Sequence, residues 1–170
     1  MLFVADAMLG KLSRWLRLVG LRVIYAPEEK AVEDDDVIKL AARRKAVLLT
    51  RDEELAEKAK NYCRTFLVRS NDLRSQFREV AAAFKIKIPK RETQALCPKC
   101  GSRLERVPKK SVKTLVWPRV YARHNAFWRC GNARCAQIYW KGTHVREIRR
   151  VLKEIKTAGD EKRVTRARTA

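Results

Sequence analysis

The chain lacks any apolar run long enough to span a bilayer, so its 170 residues predict no membrane-spanning helix. Its first residues also lack a basic segment followed by an apolar block and a small-residue cleavage site. We therefore expect a cytoplasmic protein. Internal repeats are absent too, and the length suits one modest domain with a small accessory module.

Acidic residues are scarce: 19 Asp and Glu stand against 40 Lys and Arg, a formal net charge of +21. The surplus is concentrated after residue 92, where 20 basic and 5 acidic residues give +15. Such a surplus favours a polyanionic partner, above all nucleic acid. An acidic membrane surface is the weaker alternative, because no long amphipathic apolar face accompanies the charge.

Short apolar runs alternate with helical patterns through the first 86 residues. The runs at 2–5, 23–25, 47–49 and 66–68 predict strands, and apolar residues at helical spacing follow each of them. This alternation predicts βαβ units, a parallel sheet flanked by helices, and thus the α/β class. Right-handed crossovers would bring the carboxyl ends of the strands to one edge, where ligands bind in such sheets.

Acidic residues follow each of the predicted strands, namely Asp6, the Asp34–Asp36 run, Asp52 and Asp72. We expect them to gather at that edge, where their mutual repulsion needs a cation. Oxygen ligands suit Mg²⁺ or Mn²⁺, and a pair of such ions is a standard solution for phosphodiester hydrolysis. The alternative is that Asp52 only caps the next helix and that the acidic run only favours a helix N-terminus.

Two neighbours of Asp52 are further candidates. The hydroxyl of Thr50 could position a water or an oxygen of Asp52. Arg51 could contact the scissile phosphate, or it could be an ordinary surface arginine.

Four of the five cysteines form two close pairs, Cys97 with Cys100 and Cys130 with Cys135. Four thiolates close a tetrahedral Zn²⁺ site with no open position, which is a structural site. Two redox pairs would need a thioredoxin-like context that this chain lacks. His124 and His144 could substitute as ligands, but we expect both to be surface or packing residues. The fifth cysteine, Cys63, is expected to be an inert buried thiol that begins a strand.

A basic and aromatic segment lies between the two cysteine pairs. Rings that stack on bases and cations that contact phosphates suit RNA recognition. Alternatively, Trp117, Tyr121, Phe127 and Trp128 are only the small core of this module. The residues that we expect to bind RNA are Lys113, Arg119, Arg123 and Arg129 here, Lys11, Arg14 and Arg17 on the polar face of the first helix, and Arg51.

Several motifs together resemble a known family, the PIN-like ribonuclease domain first noted at the C-terminus of the Mut-seven exonuclease. Its prokaryotic members carry a zinc ribbon after that domain. The matching residues span roughly 2–148. They are Phe3-Val4-Ala5-Asp6, Leu9-Gly10-Lys11-Leu12, Arg14-Trp15-Leu16-Arg17, Gly20, Asp34-Asp35, Leu48-Leu49-Thr50-Arg51-Asp52, Cys97-x-x-Cys100-Gly101 and Tyr139-Trp140-x-Gly142-x-His144.

The resemblance implies a Mg²⁺- or Mn²⁺-dependent ribonuclease that acts on single-stranded or ribosomal RNA. Asp6, Asp35 (or Asp34) and Asp52 match the family's acidic positions, and Asp72 matches a fourth position less well. One departure is the gap of four residues in the second cysteine pair, where two or three are usual. The implied organisation is a PIN-like domain at 1–90, a small β-rich zinc ribbon at 94–145, a C-terminal helix at 146–158 and a basic disordered tail at 159–170.

Two rival functions remain at this point. A non-catalytic RNA-binding or ribosome-associated protein could have the same fold, because a net charge of +21 suits stable binding as well as catalysis. A toxin-type nuclease is a further option, although a long basic extension is unlike a compact toxin.

Overall fold

A computed structural model describes residues 1–86, 95–142 and 146–154. One sheet has four parallel strands in the order β2-β1-β3-β4, and a second sheet has three antiparallel strands in the order β5-β6-β7. This confirms the predicted fold class. No helix within the described ranges is both long and apolar enough to cross a membrane.

The first 86 residues form the alternating part of the fold. In chain order the elements are β1 (Leu2–Ala5), a 3-10 turn (Ala7–Leu9), α1 (Gly10–Leu18), β2 (Arg22–Tyr25), a 3-10 turn (Ala26–Glu29), α2 (Asp34–Arg43), β3 (Val47–Thr50), α3 (Glu53–Ala59), β4 (Thr65–Leu67) and α4 (Leu73–Ala83). The sequence pattern did not predict the two 3-10 turns. The first of them forms because the Asp6 carboxylate caps it by accepting from the Met8 amide.

The parallel sheet separates two apolar layers, because successive side chains of a strand point to opposite faces. Phe3 packs in one layer with Trp15 and Phe77. Val4 and Leu48 pack in the other layer, against the helices that follow β2 and β3. All four residues of β3 are buried, as the continuous apolar run indicated.

The second module carries the antiparallel sheet. Its elements are β5 (Leu104–Val107), a 3-10 turn (Lys109–Val112), α5 (Pro118–Arg123), β6 (Phe127–Cys130) and β7 (Ile138–Trp140). Phe127 and Trp128 face opposite sides of β6: Phe127 packs on Val112, and Trp128 packs among the cysteines. We refer to residues 95–142 as the ribbon.

Residues 146–154 form a helix that returns to the first module. Ile148, Val151 and Leu152 are buried in the same cluster as Trp15 and Phe77. We therefore describe residues 1–86 and 146–154 together as the parallel-sheet domain. The end of the predicted C-terminal helix, at 155–158, and the predicted tail at 159–170 lie outside the described residues.

Candidate functional site

Asp6 lies at the carboxyl end of the central strand β1 and is only 5% exposed. Its Oδ1 accepts from the Met8 amide at 2.9 Å, and its Oδ2 accepts from the Thr50 hydroxyl and from the Arg51 amide. Burial raises the pKa of the Asp6 carboxyl, and these hydrogen bonds lower it in part. The result is a carboxylate that is both desolvated and held in one orientation.

Thr50 connects Asp6 to Asp52. Its buried hydroxyl donates to Asp6 and accepts from the Asp52 amide at 2.9 Å. Its single proton and one of its two lone pairs are used within the fold, and the expectation that this hydroxyl positions a water or an Asp52 oxygen stays a prediction. Its partners are the Asp6 carboxylate and the main chain of Asp52. We call Asp6, Thr50, Arg51 and Asp52 the carboxylate edge.

Asp52 and Asp72 are both helix caps. Asp52 Oδ1 accepts from the Leu55 amide at 2.9 Å, and Asp72 Oδ1 accepts from the Ser75 amide at 3.0 Å. The hydrogen bonds from Ser75 lower the pKa of the Asp72 carboxyl. Asp52 therefore does cap the helix that follows it, as the alternative interpretation of the sequence stated. A cap engages one carboxylate oxygen and leaves the exposed side chain its second oxygen for a ligand.

The three residues of the acidic run at the start of α2 have different surroundings. Asp34 forms an ion pair with Lys58 at 3.0 Å. Asp35 lines a groove that also contains Lys58 and Tyr62, and Asp36 lines a different groove. Successive residues of a helical turn project in different directions, so only some of this run can face any one site.

The cysteines are the only group of three or more potential His, Cys, Asp or Glu ligands within 4.8 Å of one another in the described part of the chain. Asp6, Asp35 and Asp52 therefore do not form such a group in this structure. Asp6 and Asp52 are connected through Thr50, whereas Asp35 is in the first turn of α2.

Arg51 reaches from the carboxylate edge to the loop before α4. Its Nη2 donates to Asn71 Oδ1, while its Nε is buried with no hydrogen-bond partner among the described residues. Asn71 therefore holds the Arg51 side chain beside the edge. Because Asn71 is neutral, this hydrogen bond does not compensate the positive charge of Arg51.

Arg17 is not on the exposed face of α1, so its prediction as an RNA-binding residue is wrong. Its side chain is 2% exposed and forms an ion pair with Glu28 at 2.7 Å. Its Nε donates to the Val23 carbonyl and its Nη1 donates to the Pro98 carbonyl, both at 3.0 Å. A buried guanidinium needs all of these acceptors.

The four cysteines of the ribbon converge as their spacing predicted. Their sulfur atoms all lie within 4.8 Å of one another, with Cys97 3.8 Å from Cys135 and Cys100 3.4 Å from Cys130. Zn–S bonds of about 2.3 Å in a tetrahedron place sulfurs about 3.8 Å apart. The arrangement therefore fits one zinc ion with no open position.

The main chain shapes both cysteine turns. In the first turn, the Gly101 amide donates to the Cys97 carbonyl at 2.8 Å, and Gly101 has the positive φ of 75° that favours glycine. In the second, the Asn132 carbonyl accepts from the amides of Cys135 and Ala136. This extra turn accommodates the gap of four residues, so the departure from the usual spacing does not prevent convergence.

The surroundings of the cysteines shift the pKa values of their thiols. Burial disfavours ionisation of Cys100, but hydrogen bonds from Ser102 and from neighbouring cysteines lower its pKa to about 6. Burial raises the pKa of Cys130. Tyr139, to which the sequence assigned no role at the zinc site, has its hydroxyl 3.1 Å from Cys97 Sγ.

The predictions for the two histidines and the fifth cysteine fare differently in the structure. The ring of His124 packs near that of Trp140, with centroids 6.3 Å apart, and is not among the converging ligands. His144 lies outside the described residues. Cys63 is half-buried and precedes β4, with its sulfur 3.7 Å from the Thr65 hydroxyl, so the expectation that it is buried and begins the strand is wrong.

The basic candidates other than Arg17 and Arg51 are exposed: Lys11, Arg14, Lys113, Arg119, Arg123 and Arg129. The aromatic residues of the ribbon divide between its core and its surface. Phe127 and Trp128 are buried, Tyr121 is half-buried, and Trp117 is 78% exposed. The core alternative is therefore right for the first two and wrong for Trp117.

A parallel sheet with an oriented carboxylate at one of its inner strands, followed by a ribbon with four converging cysteines, defines a mixed α/β protein with a second, cysteine-containing module. The family model described as Mut7-C RNAse domain matches residues 1–152, and the chain belongs to that family. This match confirms the resemblance seen in the sequence. It indicates a ribonuclease-type function and implies RNA as the substrate. No curated protein and no solved structure matches the chain.

Proposed function

We propose that this protein is a Mg²⁺- or Mn²⁺-dependent ribonuclease that hydrolyses phosphodiester bonds at the carboxylate edge. The observation that carries the proposal is the Asp6 carboxylate, which is buried at the end of the central strand and held by Thr50, Arg51 and Met8. A buried carboxylate gains more from a nearby cation than an exposed one, because water screens it less.

The donor atoms at the edge suit a hard divalent cation. Asp6 Oδ1 accepts one hydrogen bond, and the cap of α3 uses only one oxygen of Asp52. Carboxylate oxygens with water in the remaining positions are the usual ligands of Mg²⁺ and Mn²⁺. When bound, the metal lowers the pKa of the attacking water and stabilises the leaving oxygen.

The remaining residues of the edge position these groups. Thr50 holds the Asp6 carboxylate and the start of α3 in one arrangement. The Arg51 guanidinium, held by neutral Asn71, supplies a cation for the scissile phosphate. Asp35 completes the acidic set in this proposal. Asp34 and Asp72 are lesser candidates, since Asp34 is paired with Lys58 and Asp72 caps α4.

The ribbon contributes substrate binding rather than chemistry in this proposal. Its closed four-cysteine site suits a structural zinc ion, and its exposed cations suit phosphate contacts with single-stranded or ribosomal RNA. A cytoplasmic location is part of the proposal, because free thiols at a zinc site favour a reducing compartment.

A non-catalytic RNA-binding protein is the second candidate. The observation in its favour is that Asp35 is not grouped with Asp6 and Asp52 in the described part of the chain. Such a protein would bind RNA through the same cations and would leave it intact with every metal.

The test compares wild type with Asp52→Asn, which keeps a capping side chain while removing the charge. Glu57→Gln, which removes an exposed charge elsewhere on α3, is the matched control. Cleavage of single-stranded RNA is measured with Mg²⁺, with Mn²⁺ and without added divalent metal. We expect cleavage to need metal and to fall by orders of magnitude only in Asp52→Asn. Equal, metal-independent cleavage by all three proteins, or tight binding with no cleavage by any, would reject the proposal.

A further inference from the structure

A groove of about 620 Å³ separates the parallel-sheet domain from the ribbon. One wall is a stripe of α1 at helical spacing that contains Lys11, Arg14 and Trp15. The facing wall is the ribbon strand β7, with Tyr139 and Trp140. The volume is typical of clefts that bind small molecules or parts of larger ligands, about 300–1,000 Å³.

Two residues that line this groove are close along the chain to residues of the carboxylate edge or to their partners. Lys11 is in the first turn of α1, which the turn Ala7–Leu9 joins directly to Asp6. Leu73, another lining residue, is the first residue of α4 and follows the loop in which Asn71 contacts Arg51. A chain that lies along the groove would therefore run from the ribbon towards the carboxylates.

The lining combines exposed cations with aromatic rings. Lys11 and Arg14 are exposed on α1, whereas Trp140 and Tyr139 are half-buried on β7. Cations contact phosphates and rings stack on unpaired bases, so this combination is typical of sites for single-stranded nucleic acid. A duplex keeps its bases stacked inside and cannot present them to Trp140.

We propose that this groove binds a single-stranded RNA segment, with a base against Trp140 and phosphates on Lys11 and Arg14, and leads the strand to the carboxylate edge. The inference rests on the proposed function for what happens at that edge, and it adds the surface that selects a single strand and the path by which the strand arrives. In this proposal Trp140 binds an RNA base in addition to packing on the ribbon core.

The first experiment measures RNA affinity of the full zinc-loaded chain without added Mg²⁺ or Mn²⁺, by fluorescence anisotropy with a labelled oligouridine. The groove variant is Lys11→Gln with Arg14→Gln. The control is Arg22→Gln with Lys39→Gln, which also removes two exposed charges. Arg22 begins β2 and so lies at the opposite edge of the sheet, and Lys39 is on α2.

We expect the groove variant to bind single-stranded RNA at least about tenfold more weakly than the control. Its slope of log K against log salt should be shallower by about 1.4, from about 0.7 for each lost phosphate contact. Wild type should prefer the single strand to the same strand in a duplex. Equal loss in both variants, or equal affinity for duplex and single strand, would overturn the inference.

The second experiment tests the aromatic wall. Trp140→Leu should lose about 5- to 150-fold in affinity for oligouridine and should bind an abasic strand as wild type does, since stacking is worth about 1–3 kcal/mol per base. Because Trp140 also packs on the ribbon core, photo-crosslinking of 4-thiouridine RNA to the wild-type chain gives an independent reading. Crosslinks to α1 and β7 support the path, and crosslinks confined to the region of Trp117 would refute it.

The two proposals fail in different ways. If wild type cleaves RNA with Mg²⁺ but the groove variants bind as the controls do, the nuclease assignment stands and the groove assignment falls. If the groove variants lose binding but wild type cleaves no RNA with any metal, the groove assignment stands and the nuclease assignment falls.

Discussion

Arg17, on the first helix of the parallel-sheet domain, donates a hydrogen bond to the carbonyl of Pro98, which lies inside the first cysteine turn of the ribbon. The contact is 3.0 Å long, and the Leu96 amide returns a hydrogen bond to the Arg17 carbonyl at 2.8 Å. The first cysteine turn and the core of the parallel-sheet domain therefore share a buried arginine. This relationship makes the ribbon a part of the fold rather than an independent appendage.

Loss of zinc should weaken both modules. In Cys97→Ser the first cysteine turn is expected to open, which removes the Pro98 acceptor and leaves the Arg17 guanidinium incompletely paired. An unsatisfied buried group costs about 1–3 kcal/mol, so the helical melting transition should move to lower temperature. Circular dichroism and zinc content check this, with Cys63→Ser as the control outside the site. A helical transition that is unchanged in Cys97→Ser would contradict it.

Substitutions of Arg17 and Arg14 should affect different properties, although the two residues are close in sequence: the first stability, the second the salt dependence of RNA binding. Arg17→Met removes a buried charge from its acceptors and should cost about 2–4 kcal/mol of unfolding free energy. Its folded form should keep the wild-type salt dependence of RNA binding. Arg14→Gln, at an exposed position, should change stability little and flatten that salt dependence. Denaturant unfolding and RNA titrations distinguish the two, and identical behaviour of both variants would refute the assignment.

Two variants of Asp52 should distinguish its capping role from its proposed metal-binding role. Asn keeps the hydrogen bond to the Leu55 amide, whereas Ala removes it, at a cost of about 1 kcal/mol. Both Asp52→Asn and Asp52→Ala should lose RNA cleavage, and only the second should lose stability. At Asp72, the matched cap, the Ala variant should lose stability to a similar extent while most cleavage remains. Cleavage by Asp52→Asn near the wild-type rate would show that the side chain only caps α3.

Thr50 should be necessary for the orientation of Asp6. Thr50→Val removes a hydroxyl that donates to Asp6 and accepts from the Asp52 amide, which should cost about 1–3 kcal/mol and most of the cleavage rate. The Thr50 hydrogen bond also lowers the pKa of Asp6, so in Thr50→Val the acid limb of the pH–rate profile should move to higher pH. Thr50→Ser keeps the hydroxyl and should restore the wild-type profile. A Thr50→Val enzyme with an unchanged profile would reject this role.

Acidification should weaken the attachment of the C-terminal helix. Burial acts to raise the pKa of Glu154, but the charges of Arg74 and Arg78 outweigh it and hold this pKa below the ordinary 4.5. A carboxyl with a lowered pKa stabilises the fold above its ordinary pKa, and this contribution is lost as the pH falls through the lowered value. Thermal melts of wild type and Glu154→Gln should therefore differ near neutral pH and converge as the pH falls from 4.5 through the lowered pKa. Glu57→Gln is the control, and a constant difference at every pH would contradict the prediction.

Much of the fold follows from local patterns. The apolar run of β3 and the alternation with helices indicated a parallel sheet, because period and run length depend on only a few neighbouring residues. The spacing of the cysteines indicated for the same reason that the four of them converge. Three of the acidic residues that follow the strands, Asp6, Asp52 and Asp72, cap the elements that come next, and their role in metal binding stays a prediction.

Only the tertiary structure decided how distant segments meet. By sequence, Arg17 is indistinguishable from Lys11 and Arg14 on the same helix, and it is buried because Val23, Glu28 and Pro98 converge on it. The direction of Asp34 and Asp35, the return of residues 146–154 to the core and the groove beside Trp140 also depend on contacts between distant segments. The sequence by itself indicated the alternating strands and helices and the convergence of the four cysteines, because both depend on local spacing. The packing of those elements decided which of the residues are exposed and which face one another, since burial depends on segments that no local pattern contains.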